Sequence, residues 1–121
     1  MYKKRKMTEK EFVPYELAVK LKALGFDEPC IATHGYLELY INTDDGHLKA
    51  PLYRQAFRWF REKYKLSGTT QYFTGGYYCY TINDMKDTKE SNRLFTEFKT
   101  YEEAELTCLT KLIEIVEGQK D

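Results

Sequence analysis

The dipeptide Gly75-Gly76 separates two runs of β-branched and aromatic residues, Thr69-Thr-Gln-Tyr-Phe-Thr74 and Tyr77-Tyr-Cys-Tyr-Thr-Ile82. Such runs favour extended backbone, and a tight hairpin turn needs positive φ, which glycine adopts without steric cost. The pair therefore predicts an antiparallel hairpin and excludes an all-helical fold. A two-residue loop would set Thr74 opposite Tyr77, Phe73 opposite Tyr78, Tyr72 opposite Cys79 and Gln71 opposite Tyr80. Phe73, Tyr78, Tyr80 and Ile82 would then form a core face, with Tyr72, Tyr77 and Cys79 on the other side. Cys30-Ile-Ala-Thr33 and Tyr36-Leu-Glu-Leu-Tyr-Ile41, joined at His34-Gly35, read as a second hairpin. In it Leu37, Leu39 and Ile41 alternate against Tyr36, Glu38 and Tyr40. Asn42 to His47 and Asn83 to Asn92 read as loops, and Leu94 to Phe98 as a candidate fifth strand.

Three amphipathic segments alternate with these hairpins. Pro14 opens a helix over residues 14–24 in which Leu17, Leu21 and Leu24 recur at helical spacing. Gly25 followed by Phe26 reads as a left-handed cap with its apolar contact. Pro51 opens a second helix with Tyr53, Ala56, Phe57, Phe60 and Tyr64 as its apolar stripe and Leu52 and Trp59 at the margins. Thr100 and Glu103 have the spacing of a capping box. The third helix follows them, burying Leu106, Leu109, Leu112, Ile113 and Val116 and stopping at Gly118. The order α, ββ, α, ββ, β, α gives an α+β fold: an antiparallel sheet of two hairpins and a fifth strand, with three helices packed mainly on one face. A short echo between Tyr15-Glu-Leu-Ala18 and Tyr101-Glu-Glu-Ala104 reflects what first helical turns use rather than duplication.

With 121 residues the chain has the length of one domain. Its eleven tyrosines and seven phenylalanines supply enough apolar surface to fold despite 31% charged residues. The expectation is one domain with a flexible basic arm over residues 1–11 and a frayed tail over 118–121. Net charge is zero, divided as +4 over residues 1–65 and −4 over residues 66–121, so the molecule as a whole is not drawn to phosphate backbones or anionic membranes. The basic start at Lys3 to Lys6 is followed by Thr8-Glu-Lys-Glu11, not by an apolar signal region, and no run is long and apolar enough to span a membrane. A cytoplasmic location is expected. Cys30, Cys79 and Cys108 are odd in number and lack metal-ligand or redox spacing, which points to reduced thiols.

No residue pattern in the chain has the form of a catalytic signature. Asp44, Asp45 and His47 could offer metal ligands, yet a calcium loop would need its glycine one position later and a glutamate closing its twelve residues. A solvated turn explains them. Cys30 or Cys79 beside His34 or His47 would suit nucleophilic catalysis, with nothing in the spacing to bring them together. No cofactor or metal is expected. Arg54, Arg58, Arg61 and Lys65 follow one edge of the second helix, where cations could track phosphates if Trp59 and the basic arm joined them. A solvated face is the simpler reading.

Three stretches, Phe12 to Phe26, Pro51 to Tyr64 and Thr100 to Val116, resemble a group of small proteins found in gut bacteria of the Bacteroides type and in their phages and integrated elements. That group has no assigned activity, cofactor or site. The resemblance implies a phage or mobile-element accessory protein. The sequence reading is thus a non-enzymatic binding module that offers Tyr36, Tyr40, Tyr72 and Tyr77 to a protein partner or a second copy. The alternative is a nucleic-acid accessory protein using Arg54, Arg58, Arg61 and Lys65.

Overall fold

The computed structural model describes residues 8–86 and 93–119. A 3-10 turn, Glu9–Glu11, precedes helix α1 (Tyr15–Ala23), and strands β1 (Ala32–His34), β2 (Leu39–Ile41) and β3 (Leu48–Lys49) lead into helix α2 (Tyr53–Tyr64). Strands β4 (Leu66–Phe73), β5 (Tyr77–Asp84) and β6 (Arg93–Phe98) follow, and helix α3 (Tyr101–Gln119) completes the fold. The protein is α+β, with three helices and two hairpins. The strands form two three-stranded antiparallel sheets, ordered β2-β1-β3 and β4-β5-β6, rather than one. The centre of the first is its first strand and that of the second its middle strand, so the halves are not a structural repeat.

The helix boundaries follow local chemistry. At the end of α1, Gly25 has φ +105°, its N–H donates to Lys22 O and the Phe26 N–H donates to Leu21 O, the paired bonds of a Schellman cap. Phe26 folds back into the core and meets the Trp59 ring edge-on at 5.4 Å. At the start of α3 the Glu103 N–H donates to Thr100 Oγ1, while the Glu103 carboxylate accepts from Lys99 N–H, one residue before the usual capping-box partner. Gly118 does not stop α3, which continues through Gln119.

Several expectations are corrected. The second hairpin turns through three residues, Thr74 to Gly76, so Phe73 faces Tyr77, Tyr72 faces Tyr78 and Gly68 faces Ile82. Packing explains the shift: a Cβ on Gly68 would lie 2.9 Å from Cys108 Sγ, 3.0 Å from Leu112 Cδ1 and 3.2 Å from Phe57 Cε1. Only this register puts the side-chain-free position beneath α2 and α3, with Tyr80 and Ile82 beside it in the core. The first hairpin is looser as well. Its pairs Ala32 with Ile41 and His34 with Leu39 leave residues 35–38 as a four-residue loop, closed by Gly35 N–H donating to Glu38 O at 2.8 Å. The loop expected at Asn42 to His47 is there, but Leu48 and Lys49 after it pair with β1 as a strand, β3, that was not expected. Leu94 to Phe98 does lie in a strand, β6, which carries a bulge where Glu97 takes φ +80°.

One main hydrophobic cluster draws on all three helices, β3, β4 and β5. A smaller one of Phe12, Ala32 and Ala50 lies under the first sheet. Trp59, expected at a margin, is buried, and Leu106, expected in the core, is 39% exposed. Residues 9–11 of the expected arm form the 3-10 turn, whereas Lys3 to Lys6 and the last two residues lie outside the described residues.

Candidate functional site

The four tyrosines expected on one sheet face are distributed over the molecule. Tyr36 stands in the β1–β2 loop and Tyr40 in β2, both in the first sheet, whereas Tyr72 and Tyr77 belong to the second. The corrected register puts Tyr72 on the helix-side face, near the start of α3. There its ring meets Tyr78 edge-on at 5.3 Å, and Tyr78 meets Tyr101 at 6.0 Å. Tyr77 is on the reverse face, whose neighbours Thr69 and Gln71 are exposed polar residues. Cys79, grouped with it in the sequence reading, is fully buried. The Tyr40 hydroxyl donates to Glu38 Oε1 at 2.9 Å, and that hydrogen bond and charge hold its pKa above the usual tyrosine value.

The cations of α2 stay on the surface without converging on an aromatic platform. Arg54, Arg58, Arg61 and Lys65 are exposed. Arg58 Nη2 lies 3.7 Å from Glu28 Oε1, and Lys65 is the left-handed residue that ends the helix. Trp59 faces inward, packed on Phe60 and Tyr64, so its ring has no free face for a base. Cys30 is half-buried and its thiol is pushed up to about 11 by burial; burial pushes Cys108 up to about 12. Both are therefore thiols, not thiolates, at neutral pH. Among the described residues no group of three His, Cys, Asp or Glu side chains is placed to hold a metal ion.

The most organised polar and aromatic grouping was missed by the sequence reading. It gathers both histidines of the chain around Tyr15, at the exposed start of α1. His34 lies in β1 and is buried; its Nε2–H donates to the Val13 carbonyl at 2.8 Å, which fixes the proton on that nitrogen. Its ring meets Tyr15 edge-on at 5.6 Å. From the other side, a 2.8 Å hydrogen bond joins the Tyr15 hydroxyl and His47 Nε2, and the His47 ring stacks on Tyr36 at 4.2 Å. This ladder of rings props up the β1–β2 loop.

At the loop apex Tyr36 is 86% and Leu37 is 99% exposed. Strand alternation had placed Leu37 on the apolar side with Leu39 and Ile41, but β2 begins only at Leu39, so the alternation does not reach it. Beside the apex lies a hollow of about 330 Å³, lined by Phe12, Pro14, Tyr15, His34 and Leu39 together with the loop. The two histidines and the His34-Gly35 step were visible in the sequence. Their meeting at Tyr15 depends on the packing of α1 against the first sheet, which no spacing rule encodes.

Comparison with protein-family models, curated proteins and solved structures gives no match. Among the described residues no helix is long and apolar enough to cross a membrane.

Proposed function

We propose that this chain is a small binding module that engages a protein partner through the Tyr36–Leu37 apex and the hollow beside it. The observation that carries the reading is the near-complete exposure of Leu37 next to Tyr36, in a loop held by stacked rings. Leaving a leucine in water forgoes about 1.5–3 kcal/mol relative to burying it. An aromatic next to an aliphatic side chain, beside a hollow lined by apolar residues together with Glu9, Glu38 and His34, suits the anchor-and-pocket pairing of protein interfaces. A cytoplasmic phage or mobile-element accessory protein is the biological setting, an inference that rests on the resemblance of the three helical segments. The non-enzymatic character belongs to the same proposal.

The test is co-purification from a native host with the wild type, a Tyr36→Ser, Leu37→Ser variant and a Val19→Ser control. Val19 is also exposed, at 45%, but lies on α1. The expected result is a discrete protein retained by the wild type and the control and lost with the double variant. If sedimentation shows that the wild type self-associates and the double variant does not, the partner is a second copy. Equal behaviour of all three sinks the reading. Single-stranded nucleic acid that binds in low salt and is released by neutralising Arg58 and Arg61 would favour the phosphate-contact alternative.

A further inference from the structure

Strand β4 ends its sheet on the side opposite β6, and among the described residues no strand pairs with its outer edge. That edge runs for eight residues, Leu66–Phe73, with no charged residue and no proline. Edge strands are ordinarily short, charged or bulged, which keeps stray strands from pairing with them. The other edges follow that rule: the sequence of β6 contains Arg93 and Glu97 with a bulge at Glu97, and β2 and β3 have three and two residues. Strand β4 departs from it.

The ladder with β5 tells which backbone groups of β4 face outward. Met85 N–H donates to Lys65 O at 2.8 Å, one step beyond the pair of Leu66 with Asp84. Hydrogen-bonded and non-hydrogen-bonded pairs alternate along an antiparallel ladder, so Ser67, Thr69 and Gln71 bond to β5, while Gly68, Thr70 and Tyr72 turn their N–H and C=O to the free edge. Tyr72 is exposed and Gly68 and Thr70 are half-buried. Residues set opposite these three in an added strand would carry their side chains on the same face as Gly68, the side of α2 and α3.

That side is cationic. Phe57 is the α2 residue that approaches Gly68, and Arg61 and Lys65 follow it at successive steps of four along the same side of the helix, down to its junction with β4. Both are exposed, and neither makes an ion pair among the described residues. Arg54, one turn before Phe57, shares a hollow with Glu102 and Glu105 and adds less. We propose that the outer edge of β4 takes an extended acidic segment of a partner protein as an added strand. Its backbone would pair with Gly68, Thr70 and Tyr72, and alternate side chains would turn carboxylates toward Arg61 and Lys65. A second β4 would bring no acidic residue of its own to these cations, so another copy of the chain fits less well. The proposal goes beyond the reading of the Tyr36–Leu37 apex and does not rest on it, since that apex belongs to the other sheet.

The test is fluorescence anisotropy of the full chain with a labelled heptapeptide that alternates Glu and Thr. The comparison probes are the same peptide with Lys for Glu, the same residues in blocks with all Glu before all Thr, and an oligothymidylate. The alternating Glu peptide is expected to bind saturably, about tenfold or more tightly than the Lys and block peptides, and to shift the amide resonances of Gly68, Thr70 and Tyr72. Arg61→Glu should reverse the preference between the Glu and Lys peptides. Tyr72→Pro removes an outward N–H without breaking a bond to β5, and should weaken binding by about tenfold. The Tyr36→Ser, Leu37→Ser variant should bind as the wild type does. Equal binding of the alternating and block peptides, or oligothymidylate bound as tightly as the alternating peptide, means charge attraction without strand pairing and overturns the proposal. So does an absence of binding, or a wild-type dimer in sedimentation that Tyr72→Pro disperses. Should Tyr72→Pro fold poorly, the wild-type amides decide, and peptide binding that leaves Gly68 and Thr70 unshifted overturns the proposal as well.

Discussion

Gly68 needs no positive φ, and what keeps a larger residue out is the space above it. A methyl group there would press on Cys108 and Leu112 from α3 and on Phe57 from α2. Gly68→Ala should therefore lower stability by about 1–3 kcal/mol through overpacking, more than the entropy it saves in the unfolded chain. Gly75→Ala is the informative contrast: nothing lies within 4 Å of its added Cβ, and the cost is conformational, from φ +116°. Urea unfolding of the two variants separates packing from strain: a stable Gly68→Ala would mean that α2 and α3 do not approach β4 as described. Glu105 gives the second residue-scale prediction. Its folded-state value of about 7 lies above the ordinary 4.5, so between these limits the folded state holds the proton more tightly than the unfolded one. The stability this contributes is fully present below about pH 4.5 and is lost as pH rises through 7. Solvent around this half-buried side chain reduces the effect to about 1 kcal/mol. Glu105→Gln should match the wild type at pH 4 and exceed it above neutrality. Thermal melts across that range check the sign, and a variant less stable than the wild type at pH 8 would contradict it.

Elements were legible where their own residues determine them. The Schellman end of α1 is set by Gly25 and Phe26, the start of α3 by Thr100 and the stripe of α3 by Leu109, Leu112, Ile113 and Val116, all of which are buried. Leu109, fully buried at the middle of that stripe, carries the element-scale prediction: Leu109→Ala should cost about 2–5 kcal/mol, from lost burial and the cavity left behind. A melting temperature close to that of wild type would remove α3 from the core. What local pattern could not reach was decided by a neighbour. Two glycines favour a turn at 75–76, yet the register is fixed by the contact of Gly68 with two helices. Strand β3 is two residues long, too short to show alternation, and exists because β1 offers it a free edge. The candidate partner site follows the same division: Tyr36 was legible as an exposed aromatic, but the exposure of Leu37 and the role of Tyr15 arise from where β2 begins and how α1 packs.

At the scale of the whole molecule, the two sheets differ in how they are held. The strands of the second have eight, eight and six residues, and α3 and α2 lie across them over the main cluster. The strands of the first have three, three and two residues over a cluster of Phe12, Ala32 and Ala50. A short ladder with little buried apolar surface opens at lower cost than a long one beneath two helices. The ties that connect the first sheet to the rest include the His34 Nε2–H donated to the Val13 carbonyl, the Lys49–Asp27 ion pair at 2.9 Å and Leu48 reaching into the main cluster. Native-state hydrogen exchange should therefore show the amides of β1 and β3 exchanging through a sub-global opening, well before those of β5 and the middle of α3. His34→Phe, which keeps a ring but deletes the bond to Val13, should hasten exchange in the first sheet while leaving Cys79 and Leu112 near wild-type protection. Equal protection across both sheets would show one cooperative unit. Faster exchange at Leu112 in the variant would show that the His34 bond supports the main core as well. The expected opening also bears on the partner reading: the Tyr36–Leu37 apex is carried by the less stable sheet, so closing on a partner should protect the β1 and β2 amides most, and α3 least.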